Sequence, residues 1–430
     1  MNLPPSTSDI AFEQFLQELP ENYDQLAREF KAFCRPRKIK TPAQLLQVVM
    51  SYCGLDQVLR EVAGTFTLLE EAISDTAIRQ RLKACLPWVK ALLTQMMGEG
   101  VERLIEGNLR LVVIDGSTVQ GPGASETWYR LHIAIDLVKL HLIHVEVTDK
   151  YEGERLDYYP LQDGDVVLID RGYNQPSQLL EQGTKNVCVV LRYNPHGMTL
   201  FDDQGKKIDW SQQLKDCSEA SCCVPARVVH EGQYLEGWVH ASRLPEEQAA
   251  QARRRVRVNA KKKGRTAQAK TLLMAGWVLV FTTVAPEILS TTVIAELYRV
   301  RWQVELVIKR LKSLLDVDQL RAREGSALAP LYLHGKLLYA WVVERRARRR
   351  CGEAWMRLDG PRQATWWRVW KLIKQEVAIM ISGVRQWNFE RWEQCLAVMQ
   401  ERPRRRTLQT LPDRVNRLIA SCQLAGLSNI

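Results

Sequence analysis

The spacing of apolar residues predicts that the chain starts with helices. Between residues 8 and 97 apolar positions recur at helical intervals with few strand signals. Thr41 followed by Pro42 is a typical helix start, and Ser74 is a second candidate N-cap, before a short basic segment at 77–83. That segment follows another predicted helix. It is equally compatible with the recognition helix of a helix-turn-helix and with an ordinary helix of a bundle.

The pattern changes near residue 109, where short continuous apolar runs replace the helical spacing. In order, the predicted elements are strands at 111–114, 129–137, 140–147 and 166–169, a helix at 176–181 and a strand at 187–191. The first strands are joined by short connections and the later ones through a helix. This order predicts a mixed sheet with helices on its faces.

The rest of the chain alternates between strand-like and helical stretches. A β-rich segment follows residue 194, a polar and basic stretch covers 245–270, and an apolar strand returns at 276–281. Beyond residue 320 the pattern is helical and rich in tryptophan and arginine. We therefore predict five regions: a helical N-terminal DNA-binding region (1–108), the first part of an α/β core (109–194), a β-rich insertion with a basic segment (195–273), the second part of the core (274–344) and a helical C-terminal region (345–430).

Charge favours a polyanionic partner. The 60 Lys and Arg residues exceed the 49 Asp and Glu residues, giving a formal charge of +11. The excess concentrates in runs at 253–257, 261–265, 345–350 and 402–406. One basic run is usually a solvated face, but four runs beside many tryptophans favour nucleic acid. We assign Lys262 and Arg265, in the second run, to DNA contacts. Because no apolar run approaches the length of a membrane span, we expect a cytoplasmic protein without a membrane partner.

Two acids close apolar runs at corresponding places. Asp115 follows 111–114, and Asp170 follows 166–169. An acid at the end of a buried strand lies at the edge of the sheet. A carboxylate charge that is partly buried there costs free energy unless a cation or hydrogen bonds compensate for it. Carboxylate oxygens suit Mg²⁺, whose remaining positions a phosphodiester can complete. Taken singly, each acid is also a common way to start a turn.

A third acid lies in a predicted helix at 294–315. At about 100° per residue, Tyr298, Arg301, Glu305 and Lys312 project as one stripe. This stripe suits a metal ligand whose neighbours hold phosphates, and it suits an ordinary ion pair between Arg301 and Glu305 equally well. The side predicted to face solvent holds Arg299, Arg310 and Ser313.

Other acids in or after the core strands lack this setting, and we interpret them as solvated or structural: Asp136, Glu146, Asp149 and Glu154.

The pattern Tyr298-x2-Arg301-x3-Glu305-x6-Lys312 resembles, without a departure, the signature of a large family of bacterial insertion-sequence transposases. Members of that family have an RNase H-like catalytic core with a DDE triad of acids and, where an insert occurs, a β-rich one before the Glu. The similarity extends to the first acid motif at 114–118 and to the second, which begins at Asp170. The resemblance covers roughly residues 109–320 and implies an RNase H-like, mixed-sheet α/β core.

The resemblance implies roles for individual residues. Asp115, Asp170 and Glu305 are expected to bind two Mg²⁺ ions, with Mn²⁺ as a substitute.

The DNA contacts that the resemblance implies lie around this triad. Tyr298, Arg301 and Lys312 are expected to contact phosphates near the cut, and we add Arg171 from the second acid motif. Trp302 follows the Arg as in hairpin-forming relatives.

Trp277, on the strand before the helix, lies where such relatives carry an aromatic that stacks on a flipped base. Packing in the core is the alternative for this side chain.

The expected function is metal-dependent cut-and-paste transposition, with end cleavage and strand transfer through a hairpin intermediate. The expected partners are the inverted-repeat ends of its own element, target DNA, and a second copy of the chain in a homodimer on DNA. Two alternatives remain: a DNA-binding regulator that does not cut, and a metal nuclease that cuts DNA without joining it.

Overall fold

The computed structural model of the chain describes residues 7–98, 110–123, 126–137, 141–323, 325–351 and 366–383, with residues 394 and 397. The predicted boundary at residue 109, the basic run at 402–406 and most of the predicted C-terminal region lie outside them. No helix within the described ranges is both long and apolar enough to cross a membrane.

The first part of the chain is helical. Its helices are α1 (Thr7–Leu16), α2 (Tyr23–Glu29), α3 (Pro42–Cys53), α4 (Leu59–Leu69), α5 (Asp75–Lys83) and α6 (Leu86–Gly98). Thr41 Oγ1 accepts a hydrogen bond from the backbone N–H of Gln44 at 3.1 Å, and Ser74 Oγ accepts one from Ala77 at 3.2 Å. Both predicted N-caps are confirmed, because each satisfies an amide that the first helical turn leaves unpaired.

The α/β part is built on one mixed sheet. Its strands are β1 (Arg110–Gln120), β2 (Thr127–Asp136), β3 (His141–Asp149), β4 (Asp165–Ile169), β5 (Cys188–Arg192), β6 (Ser221–His230), β7 (Gln233–Arg243) and β8 (Trp277–Thr282). They lie in the order β3-β2-β1-β4-β5-β8-β7-β6. β4 runs parallel to β1 and to β5, while the other neighbours are antiparallel. The prediction of a mixed α/β sheet is confirmed.

The segment predicted as a β-rich insertion is continuous with this sheet. β6 and β7 form a hairpin, and β7 pairs with β8 from Trp238↔Thr282 to Arg243↔Trp277. The same segment also contains helices α8 (Trp210–Asp216), α9 (Glu246–Lys262) and α10 (Ala269–Met274). The predicted basic stretch is therefore largely the helix α9.

Helices cover both faces of the sheet. One face carries the buried residues Val113 and Leu168 and packs against the helical parts of the chain. The other face, with Val112 and Val167, packs against α7 (Pro176–Thr184) and α8. Because side chains alternate along a strand, each position of β1 and β4 belongs to one of these two layers.

The predicted single helix at 294–315 is wrong in one respect. The chain forms α11 (Thr291–Val300) and α12 (Gln303–Leu315), separated by a turn at Arg301 and Trp302. Arg310, predicted to face solvent, is only 8% exposed, and its guanidinium lies 5.8 Å from the ring centre of Trp370. A tryptophan remote in sequence covers this position, so the helical pattern alone could not show its burial.

The C-terminal helices α13 (Leu328–Cys351) and α14 (Trp366–Ser382) pack against the N-terminal ones. α13 runs unbroken across the predicted boundary at residue 345. Its basic end is paired internally with two acids. Glu18, whose side chain is 1% exposed, contacts Arg345, Arg346 and Arg349, and Glu376 contacts Arg346 and Arg350.

A buried ion pair also joins the two helical parts. Asp56, in the loop between α3 and α4, accepts from the ammonium of Lys336 and from the hydroxyl of Tyr332 on α13. The side chain of Lys336 is 1% exposed and that of Asp56 is 18% exposed. Burial lowers the pKa of Lys336, and the charge of Asp56 opposes this shift.

Candidate active site

The sheet brings Asp115 and Asp170 to the same level on neighbouring strands. The parallel register ends at Val113↔Leu168, and each acid lies two residues beyond its partner in that pair. Both therefore project on the face of the sheet that carries α12. The prediction that Asp115 ends its strand is wrong. β1 continues to Gln120 in antiparallel pairing with β2.

Two side chains, one in α11 and one in the turn after it, contact the predicted acids. Arg301 donates from Nη1 to Asp115 Oδ2 at 3.2 Å and from Nη2 to Glu305 Oε1 at 2.7 Å. Tyr298, near the end of α11, donates its hydroxyl hydrogen to Asp170 Oδ1 at 3.0 Å. Residues from three distant parts of the sequence thus meet at one place.

The acids differ in depth. The side chain of Asp115 is 20% exposed and that of Glu305 is 57% exposed, with Arg301 at 11% between them. Burial raises the pKa of Asp115, while the charge of Arg301 and the backbone N–H of Gly116, 2.8 Å from Oδ1, oppose the shift. A further cation would lower the cost of holding this carboxylate ionised.

A further carboxylate, interpreted from the sequence as solvated or structural, lies against the backbone of two glycines that follow Asp115 and Asp170 in sequence. Glu154 is half-buried in the loop after β3. A methyl group added to Gly172 would lie 1.5 Å from Glu154 Oε2, and one added to Gly116 would lie 3.2 Å from Oε1. We find no sequence signal that would have singled out Glu154, because it is a loop residue outside any periodic pattern.

Burial and neighbouring charges both shift the pKa of Glu154. Burial raises its pKa first, and the nearby charges of Asp115 and Asp170 raise it further. Arg130 and Arg301 oppose the shift. The charges of these side chains therefore act on the pKa of Glu154, although burial is the largest cause of its rise.

Three of the residues predicted to contact DNA are near the acids in sequence and are accessible to solvent. Trp302, beside Arg301 in the turn, is 50% exposed. Arg171 follows Asp170 and is exposed, while Lys312 is half-buried on α12 about two turns beyond Glu305. We refer to Trp302, Arg171 and Lys312, two basic side chains and one aromatic, as the rim.

The structure does not bring the remaining predicted residues to the acids. Trp277 is 6% exposed and belongs to the core on the opposite face of the sheet, with the Arg243 guanidinium 4.8 Å from its ring centre. This placement favours core packing over base stacking. Lys262, at the end of α9, and Arg265, just after it, are exposed.

The donor chemistry of the site fits a hard divalent cation, because its acids offer only oxygen ligands. Among the described residues, however, no three His, Cys, Asp or Glu side chains are already arranged to hold a metal ion. The guanidinium of Arg301 lies between Asp115 and Glu305 and is the cation that they now share. A metal ion held jointly by these acids would compete with Arg301 for Asp115 Oδ2 and Glu305 Oε1.

Comparison with known proteins identifies the family. A family model described as "Transposase DDE domain" matches residues 106–330. The InsL transposase of insertion sequence element IS186A from Escherichia coli (strain K12) is 30% identical over 347 residues, 76% of this chain and 90% of that protein. The transposase of IS421 from Escherichia coli is 30% identical over 348 residues, with the same coverage. The transposase of IS231F from Bacillus thuringiensis subsp. israelensis is 23% identical over 376 residues, 76% of this chain and 78% of that protein.

A solved structure is similar at a lower level. A piggyBac transposase in a synaptic complex with hairpin DNA aligns over 93% of this chain and 87% of that chain, with a TM-score of 0.41 and 9% identity. A score this low carries no argument about fold or chemistry. The family is shown instead by the match over residues 106–330 and by the 30% identity to a relative of which 90% is covered. The chain belongs to the DDE transposase family of bacterial insertion sequences.

Proposed function

We propose that this transposase moves its element by metal-dependent cut-and-paste phosphoryl transfer at Asp115, Asp170 and Glu305. The observation that carries the proposal is the Arg301 bridge between Asp115 and Glu305, with Tyr298 holding Asp170 beside it.

The acids and the basic residues have separate roles in this proposal. Asp115, Asp170 and Glu305 would hold two Mg²⁺ ions, which would activate the attacking water or 3′-hydroxyl and stabilise the leaving oxygen. In the absence of DNA, the positive charge of Arg301 offsets part of the negative charge of Asp115 and Glu305. When a DNA phosphate enters, Arg301 exchanges the carboxylates for the phosphate, to which its planar guanidinium is suited. Tyr298 positions Asp170.

The rim and α9 hold the DNA in this proposal. Arg171 and Lys312 contact phosphates near the cut, and Lys262 and Arg265 contact the backbone further away. Cleavage proceeds through a DNA hairpin, for which the exposed Trp302 offers a stacking surface that the buried Trp277 does not.

The fold and assembly complete the proposal. The antiparallel strands β1 to β3, with β4 and β5 parallel to β1, support an RNase H-like core. Two element ends must be held together for transposition, so we propose a homodimer assembled on DNA, working in the bacterial cytoplasm where that DNA lies.

The test uses the full chain, Mg²⁺ or Mn²⁺, and linear DNA carrying the gene's own flanking sequences. We expect end cleavage and joining to a target plasmid, and we expect Asp115→Asn, Asp170→Asn and Glu305→Gln to abolish both. Glu296→Gln, on the exposed side of α11, is the matched control and should keep full activity. Cleavage that survives Glu305→Gln would refute the assigned site.

The same assay separates the alternatives. Binding without cleavage would favour a DNA-binding regulator, and cleavage without a joined product would favour a metal nuclease.

A further inference from the structure

Arg192 is the last residue of β5 and lies beside the acid site, although it belongs to neither acid motif. The parallel register of β4 and β5 includes Leu168↔Val190, and both residues are buried on the face of the sheet that carries α12. Asp170 and Arg192 each lie two residues further along an extended backbone. Because side chains alternate along such a backbone, Asp170 and Arg192 project on that same face.

The guanidinium of Arg192 lies against the tyrosine that contacts Asp170. Its central carbon is 5.7 Å from the centre of the Tyr298 ring, and that of Arg301 is 5.8 Å from the same ring. Both distances are within the range of a cation–π contact. The Tyr298 hydroxyl donates to Asp170 Oδ1 at 3.0 Å. Two arginines from distant parts of the chain therefore lie around one residue of the acid site.

The two arginines differ in what their N–H groups contact. Arg301 donates to Asp115 and to Glu305. Within the part of the chain that the structure describes, Arg192 makes no side-chain hydrogen bond and no ion pair, and its ring contact is with Tyr298. Arg192 thus has its hydrogen-bond donors available on the face of the sheet where the acids lie.

These available donors matter because the Arg192 side chain is half-buried. Burial lowers the pKa of Arg192, and the charge of Asp170 opposes this shift. A guanidinium has five N–H donors, and partly desolvated donors without an acceptor cost free energy. For the buried Arg110 the fold supplies a carboxylate, since its Nε donates to Asp165 at 2.7 Å. At Arg192 an anion from outside the chain would supply the missing acceptor.

We propose that the guanidinium of Arg192 binds a DNA phosphate beside Asp170, with two of its N–H groups donating to two phosphate oxygens. This inference rests on the proposed function, because it places that phosphate in the strand held at the same acids. Arg301 has to exchange carboxylates for a phosphate, whereas Arg192 has no such partner to release. Arg192 can therefore bind DNA before a divalent cation is bound.

The contact is measured by fluorescence anisotropy with the full-length protein in EDTA. The probes are duplexes carrying the gene's own flanking sequence, each with an uncharged methylphosphonate in place of one phosphate. We expect one position at which this replacement weakens binding to the wild type about tenfold and Arg192→Met weakens binding to unmodified DNA equally. In Arg192→Met the replacement at that position should cause no further loss, because the side chain that contacts the phosphate is already absent.

Arg227→Met is the matched control for the loss of an arginine. The guanidinium of Arg227 also lies over a tyrosine ring, that of Tyr234, at 4.9 Å, but it donates to Glu236 at 2.8 Å. Arg227 belongs to β6, and three strands separate β6 from β4. Arg227→Met should show the methylphosphonate effects of the wild type at every position.

A purely structural role of Arg192 would give a different result. If Arg192 only packs against Tyr298, Arg192→Met lowers the thermal midpoint but keeps every wild-type methylphosphonate effect, and this outcome would overturn the proposal. Arg192→Lys keeps the charge and the apolar stem without the planar pair of donors, so it should retain only part of the effect at the contacted position. A full wild-type effect at every position in Arg192→Lys would overturn the proposal too, even if Arg192→Met is misfolded.

Cleavage of the unmodified duplex in Mg²⁺ separates this inference from the function on which it rests. If Asp115→Asn abolishes cleavage while Arg192→Met keeps every methylphosphonate effect, the phosphate contact is refuted and the proposed function stands. If Asp115→Asn cleaves as the wild type does, the proposed function is refuted, and a phosphate bound by Arg192 is then not one held for cleavage.

Discussion

The buried pair between Asp56 and Lys336 offers a sharp test of what joins the helical parts of the chain. Asp56→Asn keeps the side-chain shape and an acceptor for the Tyr332 hydroxyl, so it removes only the charge. The ammonium of Lys336 stays in a place where its side chain is 1% exposed. Breaking a buried pair on one side costs about 3–5 kcal/mol, and the 18% exposure of Asp56 puts this variant at about 3 kcal/mol.

The measurement is urea unfolding followed by far-UV circular dichroism at pH 7. Burial lowers the pKa of Lys336 in the wild type, and the loss of Asp56 should lower it further. A depressed lysine pKa means that the unfolded state binds more protons, so stability is lost as pH falls below the unfolded value. The difference in the free energy of unfolding between the wild type and Asp56→Asn should therefore become smaller towards pH 10.

A double variant without either charge and a variant of an exposed ion pair test whether the buried charge is responsible for the loss of stability. Asp56→Asn with Lys336→Met removes both charges, and we expect it to recover most of the loss. The exposed pair of Lys40 and Glu71, with side chains 58% and 43% exposed, should tolerate Lys40→Met within about 0.5 kcal/mol. If Asp56→Asn costs no more than Lys40→Met, the buried charge is not what stabilises this contact.

Three further predictions follow from the site, the basic helix and the core. Tyr298→Phe removes the hydroxyl that donates to Asp170, and single-turnover end cleavage should slow roughly tenfold to a hundredfold; an unchanged rate would show that Asp170 needs no such support. Lys262→Ala and Arg265→Ala should each reduce the slope of log affinity against log salt by about one, measured by fluorescence anisotropy, whereas a wild-type slope would remove that residue from the interface. Burial lowers the pKa of His132 from 6.5 to about 4, so its contribution to stability is present above pH 6.5 and is lost as pH falls towards 4. Between pH 7 and pH 5, the free energy of unfolding measured in urea should therefore fall by about 2 kcal/mol less in His132→Gln than in the wild type. Equal falls in the two proteins would contradict this prediction.

Local patterns were enough to predict the parts of the fold that depend on local physics. Thr41 and Ser74 are found as N-caps because a cap is decided by residues within one turn. The apolar runs before Asp115 and Asp170 form central strands of the sheet, as continuous burial on both faces requires.

Features that depend on distant partners were not predictable in this way. The break at Arg301 escaped the periodicity because helical spacing continues on both sides of the turn. The pairing of β7 with β8 joins residues about 40 positions apart, and no local pattern encodes it. The contact of Glu154 with Gly116 and Gly172 is the clearest case, since it depends on how the loop after β3 folds against residues distant in sequence.

The pairing of β7 with β8 also has a mechanical consequence. A segment tethered only by its two ends can swing like a flap, but the β6–β7 hairpin shares a continuous ladder of backbone hydrogen bonds with β8, which in turn pairs with β5 beside β4. A displacement of the outer strand β6 is therefore coupled through β7, β8 and β5 to β4, and Asp170 directly follows β4. Amide protons along β7 should then exchange with solvent as slowly as those of the strands inside the sheet, because the two can open only together.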